Sequence, residues 1–154
     1  MANSLSRCFN IDDMRRLAKK RLPRALFEYI DGVAEDGMTG KANRTSFDNY
    51  QLVPRTLVDV ANIDCSISVI GQKTSSPVIL CPTAFTRAFH HQGEVAVAKA
   101  AKNAGLIYTL STVSNTSIED IADVGGARWF QIYVYKDRSL VKDLIERCKL
   151  TNYQ

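Results

Sequence analysis

The chain has 154 residues, a formal net charge of +4 and 45% apolar residues, which is enough for one ordinary core. Its basic residues cluster only at Lys19-Lys20-Arg21 and Arg24, a pattern of a solvated helix face and not of a nucleic-acid or membrane patch. Cys8, Cys65, Cys81 and Cys148 are far apart and never form Cys-x-x-Cys, which argues against a zinc site or a disulfide framework and for a reducing, cytoplasmic compartment.

In chain order, Asn10 caps a first helix with Asp12 and Asp13 in its first turn and Met14, Leu17 and Ala18 on its apolar face. Leu22-Pro23 ends it, and Pro23 opens a second helix from Arg24 to Ile30 that stops near Gly32. Tyr29, in the last turn of that helix, reads by itself as a core aromatic. A third helical stretch spans Lys41 to Phe47, and an extended segment follows at Val53-Pro54-Arg55. Ile67-Ser68-Val69 and Ile70-Gly71-Gln72-Lys73 suggest a small hairpin whose turn type the residues leave open. No apolar run approaches the roughly 20 residues of a membrane helix, and the amino terminus lacks the apolar segment of a signal peptide.

From Pro77 the pattern changes. Val78-Ile79-Leu80-Cys81 is a short unbroken apolar run that ends in Pro82-Thr83-Ala84, crosses a polar loop from Phe85 to Gln92 and enters an alanine-rich helix from Glu94 to Asn103, capped by Gly105. Ile107 to Ser111 repeats the motif, with Thr116 and Glu119 as a capping box for a helix reaching Ala122. Trp129 to Val134 repeats it again, with Asp137 capping a helix whose Leu140, Val141, Leu144, Ile145 and Cys148 share one face. Strands that are apolar on both faces and alternate with helices define an α/β fold with a parallel sheet, either an open doubly wound sheet or an eight-stranded (β/α)8 TIM barrel. In both, the site lies beyond the carboxyl ends of the strands.

Those ends present Pro82-Thr83-Ala84, Ser111-Thr112 and Gln131-Ile132-Tyr133, none of them charged. Hydroxyls, an amide, a phenol and free backbone groups suit a flat, neutral heterocycle with many hydrogen-bonding edges, as a flavin ring is. Gly125-Gly126 lacks the spacing of a dinucleotide or Walker loop, and no Gly-x-Ser-x-Gly occurs. His90-His91 lacks a flanking acidic or cysteine partner and, as neighbours diverging in direction, offers no metal site.

At these residues the sequence resembles the amino-terminal half of the FMN-dependent α-hydroxy acid dehydrogenase and oxidase family, which includes L-lactate dehydrogenase, mandelate dehydrogenase and glycolate oxidase. The matching segments run in family order from Leu22-Pro23 to Tyr29, through Ala34-Glu35-Asp36, Asn43-Arg44, Pro54-Arg55, Pro82-Thr83-Ala84, His91 with Gly93-Glu94, Leu110-Ser111-Thr112 and Ser117-Ile118-Glu119-Asp120, to Trp129 through Arg138.

The resemblance implies an incomplete TIM barrel, with residues 1–76 as helical lead-in and base hairpin and residues 77–154 as the first three β/α units. It implies FMN as cofactor, with Pro82, Thr83 and Ala84 near the reactive nitrogen, Ser111 and Gln131 on the ring or ribityl chain, Tyr133 between flavin and substrate, and Tyr29 on the substrate carboxylate. The implied reaction oxidises a small 2-hydroxy acid, L-lactate or a similar one, to the 2-oxo acid. The base His, the carboxylate-binding Arg residues and the phosphate loops match no position here, so this chain supplies no catalytic residue and is expected to be inactive alone. Val113 points towards a dehydrogenase and away from an oxidase. The expected partners are the 2-hydroxy acid, a second half-barrel chain and, for full-length members, a homo-oligomer and in some a membrane surface. Two other readings are a non-catalytic half-barrel interaction module and a different FMN-barrel enzyme.

Overall fold

The computed structural model describes residues 4–154 and divides into two compact units, Met1–Val60 and Ala61–Gln154.

The first unit is helical. A 3-10 turn at Ser4–Arg7 precedes α1, Ile11–Arg21. Asn10 caps α1 as its sequence suggests: its side chain accepts from the Asp13 N–H at 2.8 Å, and the Asp13 carboxylate accepts from the Phe9 N–H at 2.9 Å. Two otherwise orphaned donors are satisfied reciprocally. Helix α2, Arg24–Asp31, is preceded by Pro23 in an extended conformation, so the proline is the residue before the helix and not its first one. Helix α3, Met38–Thr45, begins a turn earlier than Lys41 because Gly37 adopts a left-handed φ of 72° that reverses the chain; a 3-10 turn at Ser46–Asn49 continues it.

The second unit begins with the hairpin β1, Ile67–Val69, and β2, Gln72–Thr74, paired antiparallel with Val69 opposite Gln72. Its two-residue turn places both Ile70 (φ 47°) and Gly71 (φ 79°) in the left-handed region, which matches the right-handed twist of the strands but strains the branched Ile70. The hairpin's end is tied beneath the sheet, since the Ser75 hydroxyl and N–H donate to the carbonyls of Ala104 and Gly105 at 2.6 and 2.9 Å, just before the central strand.

Three parallel strands follow in the order β3 (Ile79–Leu80), β4 (Ile107–Ser111), β5 (Arg128–Gln131). Between them run α4 (Thr86–Phe89), α5 (Gly93–Asn103) and α6 (Ile118–Val124), and α7 (Arg138–Leu150) comes after β5. Every residue of β4 is buried. The core gathers Ala98 and Ala101 of α5, Tyr108 and Leu110 of β4, Ile118 and Ile121 of α6, Cys148 of α7 and Tyr153. The fold is therefore mixed α/β, as the alternating pattern predicts.

Four local expectations are corrected. The loop from Phe85 to Gln92 contains the short helix α4. Strand β5 stops at Gln131, short of Val134, because the chain curls and the Tyr135 N–H donates to the Tyr133 carbonyl at 3.1 Å. The cap of α6 is Ser117, which accepts from the Asp120 N–H at 3.0 Å, and not Thr116, whose hydroxyl is engaged elsewhere. On α7, Cys148 is buried but Leu140 and Ile145 are exposed, so the apolar face is only partly covered by the described residues. After α7, Asn152 turns the chain at φ 57°, and Gln154 pairs with the outer edge of β5: its N–H donates to the Arg128 carbonyl at 3.3 Å, and its carbonyl accepts from the Phe130 N–H at 3.2 Å.

Candidate functional site

Parallel pairing puts the carboxyl ends of β3, β4 and β5 on one edge of the sheet. Ser111 stands opposite Gln131 in the register, and the two side chains meet. The Ser111 hydroxyl donates to Gln131 Oε1 at 3.3 Å, and the Thr112 N–H points at the same oxygen from 3.4 Å. A backbone N–H can only donate, so these contacts direct Oε1 towards β4 and leave Nε2 of Gln131 available for a further acceptor. The Thr112 hydroxyl donates to the Gln131 carbonyl and accepts from the Tyr133 N–H at 3.0 Å. The backbone that carries the Tyr133 ring is thereby fixed to the end of β4. Ser111 is only 4% exposed, so it buttresses Gln131, whereas Tyr133 is half exposed and packs edge-on against Tyr135 at 6.3 Å.

At the end of β3, Pro82 and Thr83 are exposed and Ala84 is half-buried. Phe85 then takes a left-handed φ of 52°, which costs an L-residue with a Cβ about 1–2 kcal/mol. Backbone strain of this kind concentrates at functional loops. Tyr29 lies in the other unit, exposed in the last turn of α2. The structure thus brings Ser111, Gln131 and the backbone of Tyr133 together, with Pro82, Thr83 and Ala84 on the same sheet edge.

Sequence reasoning passed over Glu94 as a site residue. It sits in the first turn of α5, fully buried, with no cation paired to it among the described residues. Its Oε1 accepts from the backbone N–H groups of Thr86 (3.3 Å) and Asn115 (3.1 Å), and its Oε2 from the Thr116 hydroxyl (2.8 Å). Burial pushes its carboxyl up, but hydrogen bonds from Thr86, from the backbone of Asn115 and of Glu94 itself, and from Thr116 outweigh that and hold it below the usual carboxylate range. Its signals in the sequence are a Glu opening an alanine-rich helix, which reads as a dipole partner, and its place in the family-matching segment His91 with Gly93-Glu94, neither of which assigns it a role.

Other titratable groups take no part in the Ser111–Gln131–Thr112 hydrogen bonds. The Arg147 guanidinium forms a two-pronged pair with Glu119 at 2.7 and 2.8 Å, and that hydrogen bond holds the Glu119 carboxyl down at about 2. The His90 and His91 rings stack at 4.4 Å, contrary to the expected divergence. The extended backbone at His90 turns back at once, and its Nδ1 accepts from the Gln92 N–H at 3.3 Å. Among the described residues no group of three or more His, Cys, Asp or Glu is placed to hold a metal, and no helix is long and apolar enough to cross a membrane. The larger cleft of this unit, about 440 Å³ with Arg87, Lys99 and Asp120 in its wall, lies over the helices. A smaller hollow of about 140 Å³ reaches Ser111, Thr112 and Arg147.

The described residues of this unit thus form a mixed α/β fold whose helix-covered parallel sheet carries a neutral hydrogen-bonding rim at its carboxyl edge. The family model described as FMN-dependent dehydrogenase matches residues 18–154, and the chain belongs to that family. It is 40% identical over 146 residues to glycolate oxidase of Spinacia oleracea and to glycolate oxidase 1 of Oryza sativa subsp. indica, covering 94% of this chain and 40% of each relative. It is similar to mandelate oxidase solved with (S)-4-hydroxymandelic acid, with a TM-score of 0.91 at 35% identity over 96% of this chain and 41% of that one. The chain therefore spans about 40% of the length of the curated relatives it matches.

Proposed function

We propose that this chain is the flavin-facing front portion of an FMN-dependent enzyme that oxidises a small 2-hydroxy acid. The observation that carries the reading is the Ser111–Gln131–Thr112–Tyr133 network, whose members lie at adjacent strand ends and present an amide donor and a phenol but no charge. These groups fit FMN in kind, because a flavin edge asks for neutral donors and acceptors, and the donor left on Gln131 is what such an edge would take. When bound, FMN supplies a two-electron acceptor for the substrate's α-hydrogen.

In this reading Gln131, supported by Ser111, hydrogen-bonds the ring or ribityl chain, and the backbone of Pro82, Thr83 and Ala84 closes on the ring from the β3 side. Tyr133 orients the substrate beside the ring; for Tyr29 only the family pattern suggests a role, on the substrate carboxylate. The functional division falls after residue 76, with the lead-in and base hairpin before it and the first three β/α units of an incomplete (β/α)8 barrel after it. Two observations support that incompleteness: the chain spans 40% of its relatives, and Gln154 already pairs with β5 as the first residue of a fourth parallel strand would. Losing a general base alone costs a factor of about 10² to 10⁴ in rate, and the family's carboxylate-binding Arg residues and phosphate loops match no position here either, so no measurable turnover of a 2-hydroxy acid is expected from the chain by itself. The named relatives are oxidases, whereas Val113 favours a dehydrogenase acting on L-lactate or a similar acid.

The test is an FMN titration of the whole chain to about 1 mM, the range of a weak site, followed by visible absorption. The expected result is a shift of the flavin band that Gln131→Leu abolishes while the far-ultraviolet circular dichroism is unchanged. A free-FMN spectrum at every concentration from a folded wild-type chain overturns the proposal.

A further inference from the structure

Glu94 lies on neither rim loop yet holds both. Thr86, whose N–H it accepts, follows directly on the β3 loop that carries Pro82, Thr83 and Ala84; Asn115 and Thr116 lie in the loop that leaves β4 after Ser111 and Thr112. Its two oxygens therefore join segments 8 and 21 to 22 residues away in sequence. The bond to Thr86 falls immediately after Phe85, the strained residue at φ 52°. A conformation that is unfavourable by itself persists when its neighbours over-determine it. Glu94 does so from a fully buried position, where a charge-assisted hydrogen bond is stronger than in water.

Gly93 makes the approach available. At its φ of 46° an added Cβ would lie 2.2 Å from the Arg87 Cγ and 3.2 Å from the Arg87 backbone nitrogen. Only a residue without a side chain lets α4 lie against the start of α5, and that contact brings the Thr86 N–H to the carboxylate. Tyr108, buried on the central strand, also feels the Glu94 charge, which adds to burial in raising its phenol.

We propose that Glu94 is a positioning residue that clasps the β3 and β4 loops to one another and so sets the spacing of the two halves of the rim. This rests on the flavin reading only for what the rim holds; the clasp is a statement about the chain's own loops. Truncating Glu94 leaves the Thr86 and Asn115 N–H groups and the Thr116 hydroxyl without their acceptor and frees Phe85 to relax. The consequence reaches groups that Glu94 does not touch: Thr112, whose N–H faces Gln131, and Ala88, whose N–H donates to the Phe85 carbonyl at 2.9 Å.

The experiment is residue-resolved amide hydrogen exchange on the whole chain, as wild type, Glu94→Ala, Glu94→Gln and Thr116→Val. In Glu94→Ala, exchange at Thr86, Asn115, Ala88 and Thr112 rises together by about tenfold or more, the scale of one lost charge-assisted bond, while Ala101 and Leu110 in the core are unchanged. Glu94→Gln keeps one acceptor oxygen and falls between wild type and Glu94→Ala. If Ala88 and Thr112 keep wild-type exchange while Thr86 and Asn115 accelerate, Glu94 caps two amides and positions nothing, and the proposal is overturned. If Glu94→Ala loosens the core as well, Thr116→Val decides, since it removes one donor and leaves the charge: severalfold faster exchange at Thr112 with an intact core supports the clasp, and an unchanged Thr112 ends it. Coupled loops in a chain that leaves the FMN spectrum unshifted would remove the flavin reading and keep the clasp.

Discussion

The two units hold themselves together by different means. Residues 61–154 bury a continuous apolar core around β4. Among the described residues of 1–60, only Phe27 is buried, and Phe9, Ile11, Phe47, Tyr50 and Leu52 are each more than 70% exposed. Exposed charge pairs link the helices of the first unit: Arg15 of α1 with Asp31 of α2 at 2.5 Å, and Arg44 of α3 with Asp12 of α1 at 2.9 Å. Exposed ion pairs contribute about 0–1 kcal/mol each, whereas a buried Leu or Ile contributes several times that. The rim that reads as a ligand site stands on the unit with the core, where its groups can be held to hydrogen-bond tolerance.

The sharpest way to break that contrast is to empty the core. Leu110→Ala should destabilise the chain by about 2–5 kcal/mol in urea unfolding followed by circular dichroism. A loss below about 1 kcal/mol would mean that β4 is not the centre of packing. Next in size are the caps, one per unit. Asn10→Ala and Ser117→Ala should each cost about 1 kcal/mol in the same measurement, and an equal loss would show that local capping matters alike with or without a core behind the helix.

A smaller effect concerns Glu119 and Arg147, which link α6 to α7 while both remain more than a third exposed. Hydrogen bonding to Arg147 lowers the Glu119 carboxyl from 4.5 to about 2. The folded value lies below the unfolded one, so the stabilisation is complete above pH 4.5 and is lost as pH falls towards 2. Solvent screening keeps it under about 1 kcal/mol. Glu119→Gln should therefore be slightly less stable than wild type at pH 7 and converge with it near pH 2. Smallest of all, 1 M salt should loosen the first unit slightly by screening its exposed ion pairs and leave amide exchange in β4 unaltered.

The contrast also explains what could be read from the residues alone. Asn10, Asp137 and the alternation of apolar runs with helices carry local signals, and caps, helix order and the parallel sheet are legible from them. Ser111 stands out because it closes an apolar run and Gln131 because it is the polar residue inside one, although their mutual hydrogen bond depends on a register set by β4 and β5 together. Thr116 was read as a cap because Thr-x-x-Glu fits a capping box, but the deciding partner, Glu94, lies 22 residues away. Ile70 in a left-handed turn and Phe85 at φ 52° run against local preference, so neither conformation is legible from the residue itself. Glu94 was hidden for the same reason: its donors come from two loops that only the folded chain brings near.

The most direct measurement is a map of backbone amide chemical shifts as FMN is added to the isotopically labelled chain. The account predicts that the perturbed amides fall in residues 83–84, 111–113 and 131–133, at the ends of three neighbouring strands. Perturbations that instead gather in the cleft of Arg87 and Lys99, or none while the core resonances show a folded chain, would contradict it.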